Sequence, residues 1–389
     1  MIITPVVRKI SLESKNPVLI MDLSYVRENY YGIKNNINNA EIFYAVKANS
    51  NHRVINLLNN LGSNFDVASK GEIDKLLALG ISSERMSFGN TIKKIEDIHY
   101  AYANGIKYFA VDSEMEVEKI AAHAPGSMVY GRISTRGKDS DWPLTKKFGT
   151  DINHVMSIMR YADQLGLDAF GVSFHAGSQN YNPLNWEIAI KDASIVINKL
   201  RKEGINLRMI NIGGGMPVEH VKPIPAIKEF SSVINRAVDE YLSTTENLRV
   251  FVEPGRSMVG NAAILAAKVI LRSTKGEEEW LYIDAGVFHG LAETLEDFQY
   301  EIIVEGKEND GIKNYKLAGP TCDSVDTIYD RIMLPKTIGY GDTVYFINAG
   351  AYTTEYNTLF NGIEGPSTVF VEDFALIEDS YESGETSFQ

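Results

Sequence analysis

Residues 42–80 read IFYAVKANSNHRVINLLNNLGSNFDVASKGEIDKLLALG. Two short runs, IFYAVKA (42–48) and FDVAS (65–69), are mostly apolar, and each precedes a segment of helical spacing, HRVINLLNNLG and KGEIDKLLALG. A short apolar run without polar alternation reads as a strand buried on both faces. A glycine just past the last periodic residue, here Gly62 and Gly80, is a helix stop. The segment is therefore strand–helix–strand–helix, the pattern of parallel strands joined by right-handed crossovers.

The same rhythm continues in MSFGN (86–90), YFAVD (108–112), MVYGRIS (128–134), AFGVSFH (169–175), MINIGGG (209–215) and RVFVEPG (249–255), with helical stretches such as IEDIHYAYANG between them. A doubly wound sheet has the same periodicity, but about eight such units in roughly 235 residues match a (β/α)8 barrel in size. The expected fold is α/β: a (β/α)8 TIM-like barrel over residues 22–258, followed by a C-terminal, mostly antiparallel β domain. The second domain is predicted because LAAKVILRST, WLYIDAG, NYKLAGPTC, DTVYFIN and TVFVEDF lack long helices between them. It is assigned residues 259–376 together with 1–21, where VLIMDL (18–23) begins another strand; the polar, acidic tail 377–389 is expected to be disordered.

The 389 residues are 44% hydrophobic and 23% charged, ordinary for a soluble globular enzyme. A net charge of −13 argues against nucleic acid as the main partner. No stretch is long and apolar enough to suggest a membrane span. The N-terminus lacks the apolar core of a signal peptide, and one cysteine, Cys322, excludes an intrachain disulfide framework and a Cys-cluster metal site. A cytoplasmic protein without a metal is the expectation. No HExxH, CxxC or GxSxG pattern occurs, and the seven histidines are scattered.

The residues able to do chemistry fall at the C-terminal ends of predicted strands, where barrel active sites form. Lys47, in FYAVKANSN, is read as a strand lysine whose burial would lower its pKa toward Schiff-base chemistry. A strand-end lysine that snorkels to water is the alternative. His175 and Ser178, in SFHAGSQ, could stack on a cofactor ring and bind phosphate; a core histidine would look the same. Gly213, Gly214 and Gly215, in NIGGGMP, allow backbone N–H groups close to an anion, or a plain tight turn. Glu253, in VFVEPGR with Gly255 and Arg256, needs a positive partner, either a protonated pyridine nitrogen or an arginine. Cys322 and Asp323, in GPTCDSVD, could donate a proton and contact substrate, although a lone cysteine is more often a small buried hydrophobe. Tyr352, in GAYTTEYNTLFNG, could reach a phosphate or simply pack.

Taken together and in order, YAVKAN, FDVASKGEI, RIS…KFG, SFHAGSQ, NIGGGMP, EPGR, GPTCDSVD and GAYTTEYNTLFNG resemble the ornithine/lysine/diaminopimelate decarboxylases. These are pyridoxal 5'-phosphate (PLP) enzymes built on an alanine-racemase-like barrel, and the resemblance runs nearly end to end. It implies that Lys47 is the Schiff-base lysine, with Asp66 and Glu72 near it and the cofactor. It implies that Arg132 is a cofactor-site arginine and that His175 stacks on the PLP ring. Ser178, Gly213–Gly215, Gly255, Arg256 and Tyr352 match phosphate-binding positions, and Glu253 the acid that pairs with the pyridine nitrogen. Cys322 matches the cysteine that protonates the product carbanion, and Asp323 a substrate-contacting aspartate. In the family these two come from the neighbouring subunit, so the resemblance implies a homodimer with shared active sites.

The segment DAGVFHGLAETLEDFQYEI matches the family's specificity segment, where a carboxylate reads the distal amine. Glu296 and Asp297 both sit at or next to that position, the ungapped match favouring Asp297. An acidic pair suits a basic amino acid, ornithine giving putrescine in polyamine biosynthesis or lysine giving cadaverine. Decarboxylation of diaminopimelate or diaminobutyrate, a non-catalytic binding protein like the antizyme inhibitors, and a racemase are the alternatives. CDS at 322–324 replaces the Cys-Glu-Ser element typical of diaminopimelate decarboxylases, and the GPTCD element reads as decarboxylase rather than racemase.

Overall fold

The computed structural model describes residues 1–135, 139–143 and 147–372. The acidic tail assigned to 377–389 lies outside the described residues. The chain divides into two compact units, one of Arg27–Pro217 with Ile224–Met258, the other of Met1–Val26, Val218–Pro223 and the chain from Val259 onward.

In the first unit eight strands close into a barrel. They are Ala40–Ala45, Asn64–Val67, Met86–Phe88, Tyr108–Val111, Met128–Arg132, Asp168–Ser173, Met209–Asn211 and Arg249–Val252. All neighbours are parallel, and the last strand pairs with the first, Val250 opposite Ala40. These strands are short and apolar because both faces are covered. Phe43, Ala110, Tyr130, Phe170, Met209 and Phe251 fill the interior, with Phe43 and Phe251 ring centroids 4.3 Å apart. Side-chain caps start helices just past the rim. Asn51 accepts from Arg53 N–H, Ser69 from Glu72 N–H, and Asp151 from the N–H groups of Asn153 and His154. Gly62, with φ 91°, closes His52–Leu61 as expected of a helix-stop glycine. At the opposite end Arg249 pairs with Glu41 and donates to Tyr108 Oη (2.7 Å), while Arg208 pairs with Asp168.

The second unit is an eight-stranded, mostly antiparallel sheet. The long strand Ala263–Lys275 pairs antiparallel with Val18–Met21, Glu278–Ile283 and Thr343–Phe346. VLIMDL thus joins this sheet, next to Ser367–Phe370. Elements here that were not read from the sequence include the helix Pro5–Glu13, capped by Thr4, and the strands Ile302–Val304 and Thr327–Pro335. Among the described residues no helix is long and apolar enough to cross a membrane.

Candidate active site

The barrel brings its candidate residues to one rim. Lys47 follows Ala40–Ala45; Asp66 lies in Asn64–Val67; Arg132 ends Met128–Arg132; His175 and Ser178 follow Asp168–Ser173; Gly213–Gly215 follow Met209–Asn211; Glu253, Gly255 and Arg256 follow Arg249–Val252.

Lys47 departs from the expectation of a buried strand lysine. The strand stops at Ala45, and Val46–Ala48 form a 3-10 turn. Val46 and Ala48 are buried and keep the sequence apolar, while the turn directs Lys47 outward. Its side chain is 54% exposed, with Nζ 3.8 Å from Asp66 Oδ2. Asp66 itself is buried; its Oδ1 has no hydrogen-bond partner among the described residues and lies where a Cβ on Gly89 would otherwise project. Burial first, and the neighbouring Glu253 second, push the Asp66 carboxyl well above the usual range, against the pull of Lys47. Glu72 accepts from Ala68 N–H (2.6 Å), tying off the turn that leaves the Asp66 strand.

His175 Nδ1 accepts from Gly177 N–H (3.1 Å), which leaves Nε2 to carry the proton of a neutral ring. Burial, then the charges of Arg132 and Lys47, hold its pKa well below the ordinary value, so the imidazole is neutral at pH 7. Arg132 lies over the Phe148 ring at 5.2 Å. Ser178 opens the strand Ser178–Asn180, which pairs with Ser140–Trp142 so that Trp142 faces Ser178. The buried Arg256 places its guanidinium 4.9 Å from the Trp142 ring centre.

The loop 213–215 has to be glycine. Gly213 and Gly215 have φ of 64° and 104°. A Cβ on Gly213, Gly214 or Gly215 would come within 2.2, 2.4 or 2.1 Å of the carbonyl oxygens of Phe174, Glu253 and Gly177. Glu253 N–H donates to Gly213 O (2.9 Å), and Glu253 Oε1 accepts from Asn211 Nδ2. One rim thus carries a primary amine, a buried acid beside it, a carboxylate able to hold a cationic ring nitrogen, a neutral imidazole, and an anion cradle of glycine N–H groups with Ser178 and Arg256. That donor set fits PLP, which presents an aldehyde, a pyridine nitrogen, a flat ring and a phosphate.

The remaining five candidates lie in the second unit, on loops stitched to one another. Cys322 is exposed, and its N–H and Sγ both donate to Asn361 Oδ1 (3.1 and 3.2 Å). Asp323 is exposed beside it, with Oδ1 accepting from Val325 N–H (3.0 Å). Glu296 ends the 3-10 helix Ala292–Glu296 and Asp297 follows it with φ 62°; both are exposed. Tyr352 has φ 67° and stacks on Tyr356 at 5.9 Å. The Phe288 and Phe360 rings lie 4.7 Å apart, linking the 284–291 loop to the 350–362 loop.

Residues 23–260 match the family described as pyridoxal-dependent decarboxylase, pyridoxal binding domain. The chain belongs to the pyridoxal-dependent decarboxylase family. Its cofactor is PLP. Among its relatives is a lysine/ornithine decarboxylase of Selenomonas ruminantium, 32% identical over 94% of this chain and 92% of the relative. An antizyme inhibitor 2 of Xenopus laevis is 31% identical over 90% of this chain and 80% of the relative. A crystal structure of a lysine/ornithine decarboxylase of Vibrio vulnificus complexed with cadaverine superposes with a TM-score of 0.85 at 29% identity, covering 94% of this chain and 97% of that one.

Three residues of this decarboxylase that sequence reasoning passed over hold candidates in place. Asn211 bonds both Glu253 and Gly213. Asn361 takes both donors of Cys322. Asp326 is buried and accepts from Val287 N–H (2.7 Å), Thr321 N–H (3.0 Å) and Thr321 Oγ1 (2.7 Å), in space that Cβ atoms on Gly286 and Gly319 would fill. Each acts by bonding segments remote in sequence, and spacing carries no trace of such bonds. In NIGGG and FNG the two asparagines did stand inside quoted motifs, beside glycines that drew the attention.

Proposed function

We propose that this chain converts ornithine to putrescine, with lysine to cadaverine as a second activity, as a PLP-dependent carboxy-lyase of polyamine biosynthesis. The observation that carries the reading is the set at one barrel rim: amine, ring-nitrogen carboxylate, neutral imidazole and glycine cradle on four strand ends. Lys47 would supply the amine that holds the cofactor covalently. The loop Gly213–Gly215, with Ser178, Gly255, Arg256 and Tyr352, binds the phosphate and fixes the cofactor's position. Glu253 holds a proton on the ring nitrogen, with Arg132 and Asp66 in the same site. Bound PLP supplies the electron sink that accepts the electron pair left as CO2 departs. His175, kept neutral, offers a flat face without placing a second charge against the ring. Cys322 delivers a proton to the α-carbon.

Asp297, or Glu296 if the register is offset by one residue, reads the distal ammonium, and Asp323 contacts the substrate from the cysteine loop. Both members of the pair are exposed at the end of one short helix, and a carboxylate there attracts an amine and repels a distal carboxylate. The active unit is a homodimer in which Cys322 and Asp323 serve the Lys47 site of the other protomer. A cytoplasmic, reducing setting keeps the exposed Cys322 a thiol.

A panel of ornithine, lysine, arginine, diaminobutyrate and diaminopimelate tests the reading by CO2 release and kcat/KM. Ornithine should lead and lysine follow within roughly 10- to 200-fold, the discrimination that one methylene permits. Preference for diaminopimelate would reassign the substrate. No release from any of the five, with no visible absorbance after PLP is added, would favour a binding protein, the role suggested by the antizyme-inhibitor relative.

A further inference from the structure

We propose that Asn211 is a positioning residue that couples the phosphate loop to Glu253, and so keeps the proton on the cofactor's ring nitrogen. The proposal rests on the reading of Glu253 as the ring-nitrogen acid. Asn211 ends the strand Met209–Asn211 and is buried. Its amide is used at both ends. Oδ1 accepts from Gly213 N–H (2.9 Å), and Nδ2 donates to Glu253 Oε1. Glu253 N–H in turn donates to Gly213 O (2.9 Å). The three bonds close a ring in which Asn211, Gly213 and Glu253 each give one hydrogen bond and take one.

An amide suits the Asn211 position, because it offers a donor to a carboxylate and an acceptor to an N–H on one rigid plane without carrying a charge. The consequences are two. The donor occupies Glu253 Oε1 and fixes which way the carboxylate faces. The acceptor ties that carboxylate to the first residue of the glycine loop. Gly213 cannot retreat, since its Cα already lies so close to Phe174 O that a Cβ would stand 2.2 Å from it. The loop assigned to the phosphate and the acid assigned to the ring nitrogen are therefore held in one register by the Asn211 side chain.

The experiment uses PLP labelled with 15N at the ring nitrogen, whose resonance reports protonation, in wild-type holoenzyme, Glu253→Gln, Asn211→Ala and Asn211→Asp. PLP affinity and thermal midpoints are measured in parallel. Glu253→Gln should move the resonance toward the unprotonated position, which tests the reading of Glu253 itself. Asn211→Ala should move it in the same direction, weaken PLP binding, and lower kcat roughly 10- to 100-fold with KM little changed, the effect of losing a hydrogen bond to a charged group. Asn211→Asp keeps the acceptor and the shape, so it covers the case in which Asn211→Ala does not fold. Its carboxyl and Glu253 must share one proton. At low pH the protonated carboxyl can still donate to Glu253 and the variant should match wild type; as pH rises and that proton leaves, the two carboxylates repel and drive Glu253 from its place, so the resonance should become pH-dependent, as it is not in wild type. If Glu253→Gln moves the resonance and both Asn211 variants sit at the wild-type position across the pH range, Asn211 has no such role while Glu253 keeps its own. If Glu253→Gln leaves the resonance unmoved, the reading of Glu253 falls and this inference falls with it.

Discussion

At His175 a backbone N–H on Nδ1, burial, and the positive charges of Arg132 and Lys47 all favour the neutral ring. The folded pKa lies below the unfolded value of about 6.5. The folded state therefore binds fewer protons in the window between the two. His175 contributes stability that is fully present above about pH 6.5 and is lost as pH falls through that window. The unfolding midpoint of the cofactor-free protein should drop on acidification below about pH 6.5, and His175→Gln should flatten that share of the drop. Superimposable curves for the two proteins would contradict the assignment. At this scale the sequence revealed identities better than environments. Lys47 was legible as a candidate, but whether it is buried or reaches water was not, because a 3-10 turn lets buried Val46 and Ala48 flank an outward lysine within one apolar run.

The loop 213–215 is built on contacts between backbones, so it tolerates no side chain. Gly213→Ala would combine a left-handed φ with a Cβ against Phe174 O. The strain, about 1–3 kcal/mol, should appear as PLP affinity weakened roughly tenfold or more in an equilibrium titration. Unchanged affinity would mean that the loop does not carry the phosphate. In the second unit Asp326 gathers three donors from the 287 and 321 positions. Asp326→Ala should release the Cys322 loop, costing roughly 1–3 kcal/mol for buried donors left unpaired and lowering kcat while PLP affinity stays near wild type. Equal losses in PLP affinity and kcat would point to general unfolding instead. Elements with a clear period or an unbroken apolar run were legible: all eight barrel strands coincide with runs read from the sequence. The strand Thr327–Pro335 was not, because its partly exposed TIYDRIMLP mixes charges into the run. The helix Pro5–Glu13 was passed over because its fully buried apolar residues are just Val7 and Ile10, beside Ser11, too few to set a period.

For the whole molecule, the short segment that leaves the barrel between its last two strands was the part sequence could least reveal. Val218–Pro223 belongs with the sheet unit although barrel segments flank it. The segment is short and lacks a pattern of its own; His220 meets Phe298 and Tyr300 edge-on, at 4.7 and 5.5 Å, far away in sequence. If Cys322 of one protomer serves Lys47 of another, mixing inactive Lys47→Ala and Cys322→Ala proteins should restore about one quarter of wild-type activity. Half of the dimers would then be mixed, each with one intact site of two. No recovery after verified subunit exchange would contradict a shared site. The account as a whole stands on Lys47 as the residue that holds PLP. Borohydride reduction of the PLP-loaded protein, which makes the lysine–cofactor link permanent, followed by peptide mass mapping, tests it most directly. The predicted result is a pyridoxyl group on Lys47 alone, absent in Lys47→Ala; label on another lysine, or on none, would contradict it.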